Sequence, residues 1–451
     1  MTRQMIVLGN GFDTCLGLKS SYPDFFRDRF LEIFGFPLEI EDPRVDIEDL
    51  GGNEAFDLFK KYGENNNKYK ITIWDFIFLF EYAQAITRGS GLKDMYNWSD
   101  IESIIKKWVS NEDAGRDYLV KFRAPGIYII DSSDSFLNTG LAANSISMDH
   151  VAEYLNQQYY SSDGTEYALD SGFDDVIPDK TFDDVLFDDL KVFEQVFADY
   201  LNRIQSEPLE SGESYQIAAQ KTYNEIVRYG LDDKQKTGTI NTLLSFNYTT
   251  PIRVNYQNVI NEDKSLTGKS LTDVTLRVLN VHGKIGRKDE PNSNIFGIDP
   301  IIRNKKKRHL LEDPQIFKFT KPARALTNLR INLDENIFDI DAVHSNHQDI
   351  YIKFFGHSLG DADYSYFQAL FDHFDIYNRD EVKLCFLYRK HNDGKDRYGY
   401  PLKDYDPSGL IEKVEKLINA YGETLDNKDH GMNLFQKLVL ERRICVQAID
   451  E

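Results

Sequence analysis

The chain has 451 residues, 41% hydrophobic and 13% aromatic, enough for two or three domains of roughly 100 to 200 residues each and incompatible with a disordered chain. Its formal net charge of −21 opposes binding along a nucleic-acid backbone, and no apolar run approaches the roughly 20 residues of a bilayer span. Cys15, Cys385 and Cys445 lie too far apart in sequence for a Cys-x-x-Cys metal site or a disulfide framework, so a reducing, cytoplasmic setting with no membrane and no bound metal is expected.

In chain order, Met5–Leu8 is an apolar run of the length of a buried strand, and it breaks into Gly9-Asn10-Gly11-Phe12-Asp13. Ser21 and Asp24 then form a capping box that opens a helix, and Thr72 with Asp75 and Ser99 with Glu102 repeat that signature. Ile71–Ile86 and Ile101–Trp108 carry apolar residues at helical spacing, as do Phe187, Leu190, Phe193, Phe197 and Leu201. The ten acidic residues between Asp163 and Asp189, against the single Lys180, read as a solvated face. Four further strand-like runs follow at Ile240–Phe246, Leu276–Val281, Tyr351–Phe355 and Val382–Tyr388. Strand, loop and helix in repetition predict an α/β fold with an open parallel sheet. More than 200 residues separate the first two strands, far beyond a crossover, so a large, mostly helical domain is expected between them. The boundaries are 1–50 for the first part of the sheet domain, 51–235 for the insertion, 236–400 for the remainder and 401–451 for a helical extension.

Residues that carry chemistry collect at the strand ends, which in an open α/β sheet face the ligand crevice. After the first strand, Gly9, Asn10, Gly11, Phe12 and Asp13 either form a tight turn or let the backbone approach a pyrophosphate, with free N–H groups on the next helix. Asn247, after Leu244-Ser245-Phe246, either caps a turn or orients a ribose hydroxyl or a water. His282, in Val281-His282-Gly283, is a structural histidine or a general base. Gly356, His357 and Ser358 suit an adenosine or phosphate contact, and Asp361 or Asp363 reads as a cap of the helix that follows. His344 and His347 could ligate a metal only with further ligands, and the basic run Arg303–Arg308 reads as a solvated loop or an anion or partner site.

These pieces together, with Trp98-Ser99-Asp100-Ile101-Glu102 and Phe296-Gly297-Ile298-Asp299, resemble the bacteriophage abortive-infection AbiH family across nearly the whole chain. That pattern is in turn similar to the sirtuin-like NAD-binding fold, which implies a Rossmann-like sheet. By this resemblance NAD is a substrate or ligand rather than a bound cofactor. His282 is then the base, Asn247 holds the nicotinamide ribose or the water, and Gly9 to Asp13 with Gly356 to Ser358 line the nucleotide. Asp13 departs from a sirtuin loop, because a carboxylate repels phosphate unless it orients the loop or a ribose hydroxyl. The cysteines cannot build the zinc module of deacetylating sirtuins. The expected function is therefore phage defence by hydrolysis of NAD to nicotinamide and ADP-ribose. The alternatives are a non-catalytic nucleotide-sensing module or a hydrolase of another nucleotide. Such an activity implies gating by a phage-derived trigger, a partner defence protein or homo-oligomerisation, with the insertion as regulator.

Overall fold

The computed structural model describes residues 2–34, 70, 72–75, 77–78, 81, 98–109, 182–231, 239–251, 274–286, 291–298, 314–328, 337–338, 349–360, 363–390, 407–427 and 431–449. The chain divides into two compact units, one formed by Met1–Ser20, Leu201–Asn294 and Ala325–Glu451 and the other by Ser21–Tyr200 and Ile295–Arg324.

The first unit holds a six-stranded parallel sheet: β1 Thr2–Leu8, β2 Thr239–Ser245, β3 Val274–Asn280, β4 Ile350–Phe355, β5 Val382–Tyr388 and β6 Ile444–Ala448. Their spatial order is β3-β2-β1-β4-β5-β6, that of a Rossmann sheet. The five runs expected as strands are all present. β6 was not expected. It lies in the segment read as a helical extension, where five residues, mostly half-buried, give too little apolar pattern to announce a strand.

Met5, Ile6, Val7 and Leu8 are all buried because both faces of β1 are covered, as a parallel sheet requires. Side chains alternate between two cores. Met5, Val7, Ile352, Phe354, Leu384 and Phe386 pack with Phe367, Phe371, Val414, Ile418 and Leu438. Ile6, Leu8, Leu243, Phe355 and Leu387 pack on the other face with Tyr215, Ala219, Tyr223 and Ile226. Helices among the described residues include, in chain order, α1 Gly11–Cys15, α2 Tyr22–Phe34, α3 Trp98–Val109, α4 Phe182–Ser206, α5 Tyr215–Arg228, α6 Pro314–Phe317, α7 Lys321–Asn328, α8 Tyr364–Phe374, α9 Ser408–Gly422 and α10 Leu434–Leu440.

Within the second unit, aromatic rings form a cluster in which Phe25 meets Phe193, Phe197 and Tyr200, and Tyr22 stacks on Phe197. The expected capping boxes form at Ser21/Asp24 and Thr72/Asp75. Two buried ion pairs, Arg324–Glu194 and Lys321–Glu102, each close at 2.6 Å. The side chains of Trp98, Ser99 and Asp100 lie outside the described set, as do 163–181, 303–308, 344 and 347.

One residue of β4 breaks the apolar pattern and explains how α5 is seated on the sheet. Lys353 is 0% exposed, and its Nζ donates to the carbonyl oxygens of Ile226, Val227 and Tyr229 at 3.0, 2.8 and 2.8 Å. These carbonyls end α5, where no further helical N–H is available and the helix dipole favours a cation. Gln4 Nε2 adds a bond to Val227 O at 2.9 Å. Lys353→Met removes that donor from all three carbonyls and leaves Val227 O to Gln4 alone, and each group left unpaired costs roughly 1 to 3 kcal/mol. The expected outcome is a loss of about 3 kcal/mol or more in urea-unfolding free energy. An unchanged midpoint would show that the lysine does not hold the helix.

Candidate active site

β2 and β3 are added on one side of β1, and β4 to β6 on the other. The chain therefore reverses direction between β1 and β4, the place where open α/β sheets open a crevice beyond their carboxyl ends. In the ladder Leu8 pairs with Ser245 and Phe355, and Ser245 pairs with Asn280. Four strands thus finish at one level and release their loops side by side.

The loops after β1 and β4 touch through backbone. Gly9 N donates to Phe355 O at 3.0 Å, and Gly11 N donates to Gly356 O at 2.7 Å. A Cβ on Gly9 would stand 2.5 Å from His357 Cα, one on Gly11 would stand 2.7 Å from Gly356 Cα, and one on Gly356, whose φ is +68°, would stand 2.3 Å from Phe12 N. The glycines serve loop against loop. Phe12 N donates to Gly9 O at 2.9 Å, so two amides expected to face a pyrophosphate are used inside the fold. Phe12 itself is core, its ring edge-on to Phe355. Asn10 is exposed and holds the turn at Ser20, whose hydroxyl donates to Asn10 Oδ1 at 2.8 Å.

Asp13 is 1% exposed. Its carboxylate accepts from the Tyr215 hydroxyl at 2.6 Å and the Thr249 hydroxyl at 2.7 Å, tying the first loop to α5 and to the loop after β2. Burial pushes its pKa up from 3.8 to about 6, against the pull of Tyr215, Thr249 and the neighbouring Asn247 amide. Of the two roles the sequence leaves to Asp13, orienting the loop is the one these bonds perform.

Asn247 follows β2 and is 2% exposed, and neither end of its side-chain amide meets a hydrogen-bond partner among the described residues. Its side chain is nonetheless near enough to the Asp13 carboxylate to favour the charged form. Its neighbours Phe246 and Tyr248 pack on the ring of His282, at centroid distances of 5.5 and 6.2 Å.

His282 is buried at the end of β3. Gly283, with φ of +75°, completes the turn, and a Cβ there would fall 1.8 Å from Ser293 O. His282 Nε2 stands 3.2 Å from Asp363 Oδ1, and His357 Nε2 stands 3.3 Å from Asp363 Oδ2. Both separations are in the range of a charge-assisted contact. Leu359 N donates to His357 Nδ1 at 2.9 Å, which assigns the proton of the neutral His357 ring to Nε2, facing the carboxylate. Leu359 adopts φ of +56°, a strained conformation of the kind that collects at functional sites. Asp363 therefore stands within reach of both imidazoles. An imidazole held by a carboxylate is the arrangement of a general base.

Of the residues singled out in the sequence, Asn247, His282 and His357 lie at neighbouring strand ends. Gly9, Gly11, Phe12, Asp13 and Gly356 build the support beneath them, while Ser358 is exposed. Asp363 is the addition. Its place at the start of α8 reads as a helix cap, yet its side chain makes no capping bond and instead lies between two imidazoles. Asp361 lies outside the described residues.

A family model, described as bacteriophage abortive infection AbiH, matches residues 5–388. The chain belongs to the AbiH family. Membership carries a role in abortive infection, that is, in defence against bacteriophage. The AbiH match runs from inside β1 to the end of β5 and so takes in every residue of the site, while α9, α10 and β6 lie beyond it. No curated protein and no solved structure matches the chain, so the sirtuin likeness rests on the residues quoted for it. No helix of the described residues is long and apolar enough to cross a membrane, and they contain no cluster of metal-ligating side chains.

The raised Asp13 pKa has a definite sign. A carboxyl that titrates near 6 folded and 3.8 unfolded contributes stability that is fully present below pH 4 and lost as pH rises through 6. Asp13→Asn removes this dependence. The stability of the native chain relative to Asp13→Asn is expected to fall by roughly 3 kcal/mol between pH 4 and pH 7 in chemical unfolding series, and a flat difference would refute the assignment.

Proposed function

We propose that this AbiH protein defends against phage by hydrolysing the N-glycosidic bond of NAD, releasing nicotinamide and ADP-ribose. The observation that carries the reading is the His282–Asp363 pair at the end of β3, with Asn247 buried after the neighbouring strand β2 and its amide lacking an aligned hydrogen-bond partner among the described residues. That combination suits the nicotinamide ribose, which presents hydroxyls and an electrophilic carbon and has a leaving group that needs no proton. The N-glycosidic bond breaks as nicotinamide departs with its electron pair, and the transition state carries oxocarbenium character. Asn247 positions the water or a ribose hydroxyl by accepting from it and donating to its neighbour. His282 takes the proton as the water oxygen bonds to the ribose carbon, and Asp363 favours the imidazolium that results. With Gly11 and Phe12 N–H engaged in the fold, recognition rests on the ribose end more than on the pyrophosphate. Because unrestrained NAD loss harms the host, a phage-derived trigger, a partner defence protein or a change of oligomeric state gates the activity.

Purified protein incubated with NAD, with and without phage lysate, is expected to release nicotinamide detectable by chromatography. His282→Ala should retain nucleotide binding and lose about 100- to 10,000-fold in turnover. Asp363→Asn should lower kcat with little change in KM, the mark of an interaction made in the transition state. Full turnover by His282→Ala would end this reading, and saturable binding without products would favour a nucleotide sensor.

A further inference from the structure

The sequence separates Cys385 from Cys445 by 60 positions, but the sheet brings them together. Cys385 pairs with Cys445 in the β5–β6 ladder, and Lys353 pairs with Cys385 in the β4–β5 ladder. The three residues form one row across three parallel strands. Paired residues in such a ladder point to the same face, with neighbouring strands about 4.8 Å apart. That spacing lies inside the Cα separation of roughly 4.4 to 6.8 Å that a disulfide spans. Both thiols are free and half-buried, and β6 is the edge strand of the sheet. We infer that Cys385 and Cys445 form a redox-active dithiol, oxidised by hydrogen peroxide to a disulfide that staples β6 to β5.

The neighbours determine which sulfur reacts first. The Cys385 thiol hydrogen-bonds to Cys445 and so holds the Cys445 pKa down, against burial and with help from the Lys353 ammonium, while Cys385 is pushed up. A thiolate beside a cation is the form that attacks a peroxide. The Cys445 thiolate attacks one peroxide oxygen, an S–O bond forms, the O–O bond breaks, and the departing hydroxide leaves as water with one proton. The Cys385 sulfur, giving up its proton, then attacks the Cys445 sulfenic sulfur. The S–S bond forms, the S–O bond breaks, and a second water leaves. Two electrons pass from the sulfurs to the peroxide, so two thiols and one hydrogen peroxide become one disulfide and two waters. Cys15 lies in α1, where its Sγ donates to Phe12 O at 3.1 Å.

The test treats the folded full-length chain with hydrogen peroxide, blocks remaining thiols with iodoacetamide and maps the peptides by mass spectrometry. The expected result is a Cys385–Cys445 cross-linked peptide lacking two hydrogen atoms, a reduced Cys15, and full reversal by dithiothreitol. Cys385→Ser should accumulate a sulfenic acid at Cys445 that dimedone traps, and Cys445→Ser should leave Cys385 unmodified. The proposal falls if wild-type Cys445 passes to sulfinic acid without a cross-link, if both thiols stay reduced while Cys15 reacts, or if the only disulfides found join separate chains.

Discussion

The site depends on one close approach, the contact of the loop after β1 with the loop after β4. Parallel strands release their loops only about 4.8 Å apart, and two loops leaving together collide unless side chains are removed. Gly9, Gly11 and Gly356 remove them, at positions where a Cβ would fall 2.3 to 2.7 Å from backbone atoms. The two backbone bonds that result, Gly9 to Phe355 and Gly11 to Gly356, fix both loops at once. From that contact follow the seat of His357, whose Cα lies against Gly9, and the turn that sends Asp13 inward.

α5 is then held at both of its ends by buried polar groups. Tyr215, its first residue, donates to Asp13, while Lys353 and Gln4 donate to the carbonyls of its last turn. Apolar packing between Tyr223, Ile226 and the sheet is directionless and would allow the helix to slide. The polar ties set its register, and because Tyr215 and Thr249 share the Asp13 carboxylate, that register also fixes the loop carrying Asn247. One helix thereby links strand packing to the site.

The parts of the fold legible in the sequence are those whose signal is local. Five strands announce themselves as short buried apolar runs, and their ends correctly gather Asn247, His282 and His357. The rest depends on partners that no local pattern reveals. α5 falls inside the stretch read as an insertion, although it packs on the sheet, because an amphipathic helix does not say what it covers. Three glycines say that backbone approaches closely, but not that the neighbour is another loop rather than a phosphate. Asp363 stands at a helix start, where capping gives a sufficient local reason for a carboxylate and hides its contact with two imidazoles. The distant cysteines become neighbours only through the register of β5 and β6.

The side-chain amide of Asn247 is buried without an aligned hydrogen-bond partner among the described residues. Other buried polar groups of the same unit are satisfied within the fold: Asp13 by two hydroxyls, Ser20 by Asn10, Lys353 by three carbonyls. Burying an amide without a partner costs roughly 1 to 3 kcal/mol in proteins, and an apolar residue of similar size would avoid that cost. A polar ligand that accepts from one end of the amide and donates to the other recovers it. In the proposed reading the hydroxyls of a ribose are that ligand, and His282 with Asp363 is the proton acceptor its chemistry requires.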